Sequence, residues 1–393
     1  MPAENDVDVA RALELALDLA PLTSHERVPV PDLAGRTLAA DVTAGRDLPP
    51  TDTSAMDGWA VWAAATPGEL RIVGESAAGV PAAGWLAAGE AMAVSTGAEV
   101  PTGADAVARR EVTEVDGGRV RVTAAVAPGR DVRRRGELIL RGAPLLRSGH
   151  LVAPHEVGAI GAMGLADVLC HRRTRVAILA TGAELVPLGA DATTAQVHDS
   201  SRHGLAAQAR AAGAEVVAGV TIGDDLGATV TALEALLDGD PRPDVVVTNG
   251  GISGGDHDHV RPALALLGVV EVMRGVRAAP VRPTWLGVRG DQVVLGLPGN
   301  PASAAVAFHL LGRPLLGRPD GWWRRGALAA GYRTRPGRAE LVRCADGPAG
   351  LIAMPHQGPH AVTSLAGADV LAWLPEDGDG PVAGDPVPVS PFD

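Results

Sequence analysis

Between residues 173 and 318, four runs rich in Val, Ile and Leu each lead into a helical pattern, and this repetition narrows the possible folds more than any other feature. The runs are "TRVAILA", "EVVAGVTI", "DVVVTN" and "QVVLGL". The patterns that follow them are "GLAAQARAAG", "LGATVTALEALLDG", "DHVRPALALLG" and "ASAAVAFHLLG". A strand that is apolar along its whole length is buried on both faces, and a helix between successive strands supplies a parallel crossover. The expected unit is a three-layer α/β domain with a mostly parallel sheet. Ligands of such a sheet bind outside the carboxyl ends of its strands.

Each of those ends is polar or glycine-rich. The first strand runs into Thr181-Gly182-Ala183-Glu184 and the second into Gly223-Asp224-Asp225. The third runs into the stretch from Asn249 to Asp258, and the fourth into Gly296-Leu297-Pro298-Gly299-Asn300-Pro301. One such loop alone is a turn, whereas four on one edge make a cleft. In the third loop, Gly250, Gly251, Gly254 and Gly255 around Ser253 let backbone N–H groups approach an anion, with a helix expected to start near Asp258. The same residues also read as a βα turn with Asp258 as the helix cap. Asp224, Asp225, Asp256 and Asp258 offer hard oxygens suited to Mg2+ beside a phosphate. His257 and His259 lie two apart with no third ligand near in sequence, which argues against zinc. Pro298, Gly299, Asn300 and Pro301 form a rigid loop that exposes N–H groups or simply stiffens a helix start. Glu184 reads as a general base, a metal ligand or a solvated carboxylate, and its position alone favours the last. Asp199-Ser200-Ser201 reads as a helix cap.

The flanking segments have other rhythms. Residues Asp6 to Ala20 carry apolar side chains at helical spacing. From about 46 to 140 the chain turns to short β-type runs, including a hairpin signal at Asp116-Gly117-Gly118, and residues 153–164 return to helix. The last 70-odd residues read as a small all-β domain. Within the β-rich stretch, "SAMDGWAV" places Asp57 in a tight turn and "STGAEVPTGADAV" places Thr96 after a strand. Arg133, Arg134 and Arg135 form a cluster that is either a solvated face or an anion clamp.

Composition removes several alternatives. All 34 basic side chains are arginine. A P-loop nucleotidase, a protein kinase and a pyridoxal-phosphate enzyme each need a lysine, so none can be built here in its ordinary form. Any oxyanion must be held by guanidinium, backbone N–H, hydroxyl or metal. A net charge of −12 argues against a nucleic-acid partner. Cys170 and Cys344 make no pair motif and are expected as reduced, buried thiols. With no signal pattern and no apolar run of membrane-spanning length, a cytoplasmic protein without membrane contact is expected.

Taken in order, "PPTDTSAMDGWAV", "STGAEVPTGADAV", "RRRGE", "TGAEL", "NGGISGGDHDHV", "GLPGNPASA" and "AGADVLAWLPE" resemble the molybdopterin molybdenumtransferases, the MoeA-type enzymes related to the E domain of gephyrin. The resemblance covers nearly the whole chain. It implies a multidomain α/β plus β protein: a helical and extended linker domain from residues 1–45 and 141–172, an inserted β domain over 46–140, the molybdopterin-binding α/β domain over 173–318, and a C-terminal β barrel over 319–393. It also implies a homodimer whose active site joins the α/β domain of one subunit to the inserted β domain of the other, and it admits partners among other molybdenum-cofactor proteins. The implied reaction inserts molybdate into adenylyl-molybdopterin with release of AMP, with Mg2+ as the ion. Carried over by motif, Asp224 and Asp258 fall to the metal and pyrophosphate, Glu184 to positioning or proton transfer, and Asp57 and Thr96 to the wall given by the partner subunit. Gly250, Gly251, Ser253, Gly254, Pro298, Gly299, Asn300 and Pro301 fall to the pterin nucleotide.

Four positions depart from the family pattern: Leu138 stands for an acid, Ala183 for an aspartate, Ser201 for an asparagine and Ala279 for a basic residue. In the last motif Arg282 keeps one cation, Arg277 lies nearby, and both are expected at the oxyanion. The competing expectations are a non-catalytic molybdopterin-binding or scaffold paralogue, and a molybdopterin adenylyltransferase, which would need the α/β domain alone.

Overall fold

The computed structural model describes residues 3–81, 84–252, 258–318 and 324–392. The chain divides into two compact units, Met1–Ser24 with Arg172–Asp393, and His25–His171.

The first unit is built on a seven-stranded sheet. Its elements in chain order are β1 (Glu4–Val7), α1 (Val9–Asp18), β2 (Arg175–Thr181), α2 (Ser201–Ala211), β3 (Glu215–Ile222), α3 (Leu226–Leu237), β4 (Val245–Asn249), α4 (Val260–Leu266), β5 (Val270–Val276), β6 (Trp285–Arg289), β7 (Gln292–Leu297) and α5 (Pro301–Ala307). The strand order is β1-β5-β6-β7-β4-β2-β3. The four strands expected from the apolar runs lie side by side and parallel. Alternate residues feed two cores, as the strand period of two requires. Val176, Ile178, Val245 and Val247 face one core with Leu205 and Ala209 of α2. Ala177, Leu179 and Val246 face the other with Leu233 and Leu237 of α3 and Leu264 of α4. At the start of β2, the Asp244 carboxylate accepts both terminal nitrogens of Arg172 at 3.0 and 2.9 Å and the N–H of Arg175 at 2.7 Å.

Two features differ from the sequence reading. Residues 4–18 do not join the linker segment: β1 pairs in parallel with β5, Glu4 opposite Met273 and Val7 opposite Val276. Helix α1, capped by the Asp8 carboxylate, packs Val9, Ala12, Leu15 and Ala16 into the same core as α2. The sheet also continues past β7 through β6 to β5, with β6 running antiparallel to both β7 and β5. Both strands carry glycine and charge, which hides them from an apolar-run criterion.

The C-terminal strands Arg324–Ala327, Ala339–Ala345, Ile352–Ala353, Val370–Leu374 and Pro386–Pro391 form a separate sheet that also takes in Ala278–Ala279. A bridge between Leu328 and Leu351 links the end of the first of these strands to the segment before Ile352. Cys344 is fully buried there, and burial pushes its thiol up to about 12.

In the second unit, His25–Pro29 pairs antiparallel with Asp167–His171 over a core that includes Leu33, Leu38, Ile160 of the helix Glu156–Ala162, and the buried, free Cys170. A six-stranded sheet fills the middle of the unit. Its last hairpin turns through Gly117 and Gly118, both at positive φ, as the two-residue turn between Asp116 and Arg119 requires.

Because α1 is part of the sheet unit's core, Leu15→Ala is expected to cost about 2–3 kcal/mol of that unit's stability. Urea unfolding followed by circular dichroism measures it, and an unchanged midpoint would show residues 1–24 to be a detached arm.

Candidate active site

The order β3-β2-β4-β7 means that the chain leaves β2 toward one side and, after β3, crosses to the other. The crevice of such a sheet opens where that reversal occurs, between the carboxyl ends of β2 and β4. The loops expected to meet there do meet. Gly182 donates its N–H to the Ile222 carbonyl at 3.1 Å, and Ala183 donates to Asp224 Oδ2 at 3.1 Å. Across the crevice, Gly250 donates to the Leu297 carbonyl at 3.1 Å, and the buried Asn249 amide donates to the Pro298 carbonyl at 2.6 Å.

Glycine is required at this junction for closeness as well as conformation. Gly250 and Gly251 sit at φ +90° and +68°. A Cβ on Gly250 would stand 2.8 Å from Thr181 Oγ1, and one on Gly251 would stand 2.6 Å from a Val260 methyl. A Cβ on Gly182 would stand 2.6 Å from Glu184 Oε2, so the exposed Glu184 carboxylate folds back over its own loop.

The acidic residues separate into roles. Asp225 caps α3, accepting the Ala228 N–H at 2.7 Å, which leaves Asp224 as the outward carboxylate of that loop. Helix α4 begins at Val260, so Asp258 stands two residues ahead of it rather than at its cap, and the helix has only seven residues to supply a dipole. Ser253, Gly254, Gly255, Asp256 and His257 lie outside the described residues. Among the described residues no group of three or more His, Cys, Asp or Glu side chains could hold a metal. Asp199 is buried and accepts the Arg202 N–H at 3.1 Å, as a cap would. It also binds Thr221 Oγ1 at 2.6 Å and Arg202 Nε at 2.8 Å, tying α2 to β3 three residues before Asp224.

Past β7, Pro298 is buried, Gly299 and Asn300 are exposed, and Pro301 opens α5. Here a cavity of about 640 Å³ is shared with the C-terminal strands. Arg282 lines it together with Arg333, Arg335 and Arg338, and Ala279 stands in its wall. Two of its polar atoms, Ser303 Oγ and Arg338 Nε, are buried without a hydrogen-bond partner. Buried donors left unpaired are costly unless a ligand satisfies them. Arg277 does not line this cavity: it donates to the Asp6 carbonyl at 2.8 Å and to Glu376 at 3.3 Å, with the Asp8 carboxylate at 3.9 Å. The C-terminal arginines were not among the residues singled out from sequence. Their signal was the spacing in "YRTRPGR", where Arg333 and Arg335 share one face of an extended segment.

In the second unit, Asp57 and Thr96 are brought together. Thr96 donates both its N–H, at 2.7 Å, and its hydroxyl, at 2.9 Å, to Asp57 Oδ1. Gly58 follows because a Cβ there would stand 2.1 Å from the Ala108 carbonyl of the neighbouring strand. Of the arginine cluster, Arg134 is tied to Asp52 at 2.6 Å and Arg135 to Asp47 at 2.6 Å. Arg133 lines a groove of about 460 Å³ with Glu99 and the exposed Leu138. Glu137 accepts the Arg134 N–H at 2.8 Å.

Three family models match the chain in succession: the MoeA N-terminal region (domain I and II) over residues 7–164, a probable molybdopterin binding domain over 177–318, and the MoeA C-terminal region (domain IV) over 325–392. A protein of Mycobacterium tuberculosis named molybdopterin molybdenumtransferase 2 is 34% identical over 375 residues, covering 89% of this chain and 91% of the relative. The molybdopterin molybdenumtransferase of Haemophilus influenzae is 28% identical over 406 residues, covering 96% and 98%. The crystal structure of the molybdopterin biosynthesis MoeA protein from Pyrococcus horikoshii superposes with a TM-score of 0.82 at 28% identity, covering 98% of this chain and 99% of that one.

The Thr96 N–H first, and then its hydroxyl, hold the Asp57 carboxyl below the usual carboxylate range. Thr96→Val keeps the N–H and removes the hydroxyl, so the Asp57 pKa is expected to rise toward the ordinary value of about 3.9. The depressed pKa contributes stability that is present above the unfolded value and is lost as pH falls through the folded one. An NMR titration of the Asp57 carboxyl measures the shift, and an unmoved pKa would show that the hydroxyl bond does not form in solution.

Proposed function

The chain belongs to the MoeA family of molybdopterin molybdenumtransferases, and from that premise we propose that it inserts molybdate into adenylylated molybdopterin with release of AMP. It is thus a transferase of molybdenum-cofactor biosynthesis. The observation that carries the reading for this chain is the arginine-lined cavity beside Pro298, with the unpaired Ser303 Oγ and Arg338 Nε inside it. A tetrahedral dianion satisfies such donors, and guanidinium forks match its oxygens.

The pterin nucleotide is assigned to the crevice between β2 and β4, with its pyrophosphate toward the N–H groups at Gly250 and Gly251. The loop of Pro298, Gly299, Asn300 and Pro301 lies between that crevice and the oxyanion cavity along the same sheet edge. The two substrates would therefore meet over one short loop. Holding both reactants in reacting geometry removes the entropic cost of their encounter. Mg2+ would be held by Asp224 and Asp258, whose hard oxygens suit a largely hydrated divalent cation, and bound there it would neutralise charge on the pyrophosphate. Glu184, folded over Gly182 at the crevice, is assigned to orienting the nucleotide or moving a proton at its carboxylate. Asp57 and Thr96 are assigned to the wall that a second subunit lends, in a homodimer. The Leu328–Leu351 bridge supports reading the C-terminal strands as a closed barrel. We place the protein in the cytoplasm. No helix among the described residues is long and apolar enough to cross a membrane.

Asp258→Ala and Glu184→Ala are each expected to lower the rate of molybdate insertion about a hundredfold or more. Arg282→Ala is expected to raise the molybdate KM about tenfold, the loss of one charge-assisted hydrogen bond. Release of AMP from adenylyl-molybdopterin on addition of molybdate reads all three. Near-normal rates in both acidic variants would remove this site, and tight nucleotide binding without AMP release in the unaltered protein would favour a scaffold.

A further inference from the structure

A cavity that binds an anion gains no affinity from a negative charge in its wall, yet among the arginines of the oxyanion cavity stands one carboxylate, Glu340. The backbone fixes its place. In the parallel pairing of Ala278–Ala279 with Ala339–Ala345, Glu340 lies opposite Ala279, and paired positions share one face of a sheet. Both residues line the cavity. Ala279 stands where the family pattern has a basic residue, so the neighbour that would neutralise Glu340 across the ladder is a methyl group here. On the other side the paired residue is Leu374, and Glu340 Oε1 accepts the backbone N–H of Arg335 at 3.0 Å. The charged side chains that share the lining are Arg282, Arg333, Arg335 and Arg338. Of the other titratable groups, Tyr332 is pushed up to about 12, by burial first, and stays protonated, while His356 and His360 flank the wall segment 357–359.

Molybdate is a dianion that only accepts hydrogen bonds, and an ionised carboxylate also only accepts them, so the two repel in one cavity. Like charges at close quarters are relieved when one of them takes a proton. We propose that Glu340 is the proton carrier of the oxyanion cavity: it takes up a proton as molybdate enters and donates it to the molybdate oxygen that departs during insertion. The reaction has protons to move. Molybdopterin offers two thiols, and joining both to molybdate forms two Mo–S bonds, breaks two S–H bonds and one Mo–O bond, and releases one water with the net charge unchanged. Glu340 gives its proton to the departing oxygen and recovers one from the first thiol, and the proton of the second thiol completes the water. When the product leaves, the carboxylate returns its proton to solvent. A cation at position 279 would hold Glu340 ionised, so the small side chain there is part of the device. This inference rests on the reading of the cavity as the molybdate subsite.

Calorimetric titration of the full chain with molybdate, in buffers of different ionisation enthalpy near neutral pH, counts the protons taken up. The unaltered protein is expected to take up about one per molybdate, and its affinity to rise as pH falls by up to about tenfold per unit. In Glu340→Gln the uptake and the pH dependence are expected to vanish, while molybdate-dependent AMP release slows about a hundredfold. Glu340→Asp is expected to keep the uptake, and Ala279→Lys to lose it. A purely structural role for Glu340 would leave proton uptake unmoved. An unaltered protein without uptake overturns the proposal, as does a Glu340→Gln protein that still takes up the proton or releases AMP at the unaltered rate. If Glu340→Gln does not fold, undiminished uptake in Ala279→Lys overturns it. Arg338→Ala separates the two readings: undiminished molybdate binding there would remove the cavity as a subsite, whereas a loss there beside persisting uptake in Glu340→Gln would remove only the role of the carboxylate.

Discussion

The missing side chain at Gly250 lets the loop after β4 come against Thr181 at the end of β2, where a Cβ would stand 2.8 Å from the hydroxyl and 3.0 Å from the carbonyl. Every feature of the crevice depends on that approach. It sets the Gly250 N–H on the Leu297 carbonyl, which carries β7 and its loop to the same edge. The Asn249 amide then fixes the loop from below by holding the Pro298 carbonyl. A larger residue at 250 would separate the crevice between β2 and β4 from the arginine-lined cavity by moving the loop they share. Steric absence, rather than any attractive contact, is what brings the two regions together.

The second organising fact is how the protein spends its guanidinium groups, having no other cation with a high pKa. Arg172 binds Asp244, Arg277 binds Glu376 and the N-terminal strand, and Arg134 and Arg135 bind Asp52 and Asp47. Each of these satisfies a carboxylate of the fold and adds little to a ligand. Those lining the cavity stand around one carboxylate, Glu340, and Arg282 also has the Asp6 carboxylate at 3.7 Å. Arginine's planar fork suits both tasks, so residue type alone does not tell an anion site from a structural pair.

This explains what the sequence revealed and what it did not. The four parallel strands were legible because each is built on an uninterrupted apolar run, such as "VAILA" and "VVV", which burial on both faces demands. The convergence of their loops followed from topology. The place of β1 did not, because "ENDV" is three polar residues and one valine, and only its pairing with a strand some 270 residues away makes it a strand. Arg282 could be singled out from its motif, whereas its companions Arg333, Arg335 and Arg338 could not be tied to it. They lie on a loop between two strands of another sheet, and their meeting depends on how that loop lies beside β7. Arg277 was grouped with Arg282 by nearness in sequence, yet it donates to the Asp6 carbonyl and to Glu376, while Arg282, separated from it by four residues including one proline, reaches the cavity.

The pairing of β1 with β5 also orders events during synthesis. Residues 25–171 form a contiguous unit whose cores need nothing made later, so they can close while the rest of the chain is still being translated. The first two dozen residues cannot settle until Val270–Val276 has left the ribosome, and Arg277 has then delivered its N–H to the Val7 carbonyl. The unit that contains β1 is thus completed after residues 25–171, which are inserted in its chain. Closing so distant a contact is slow. In the interval Val9, Leu15 and Ala16 of α1 remain without the core they pack into, and need shielding until the sheet is complete.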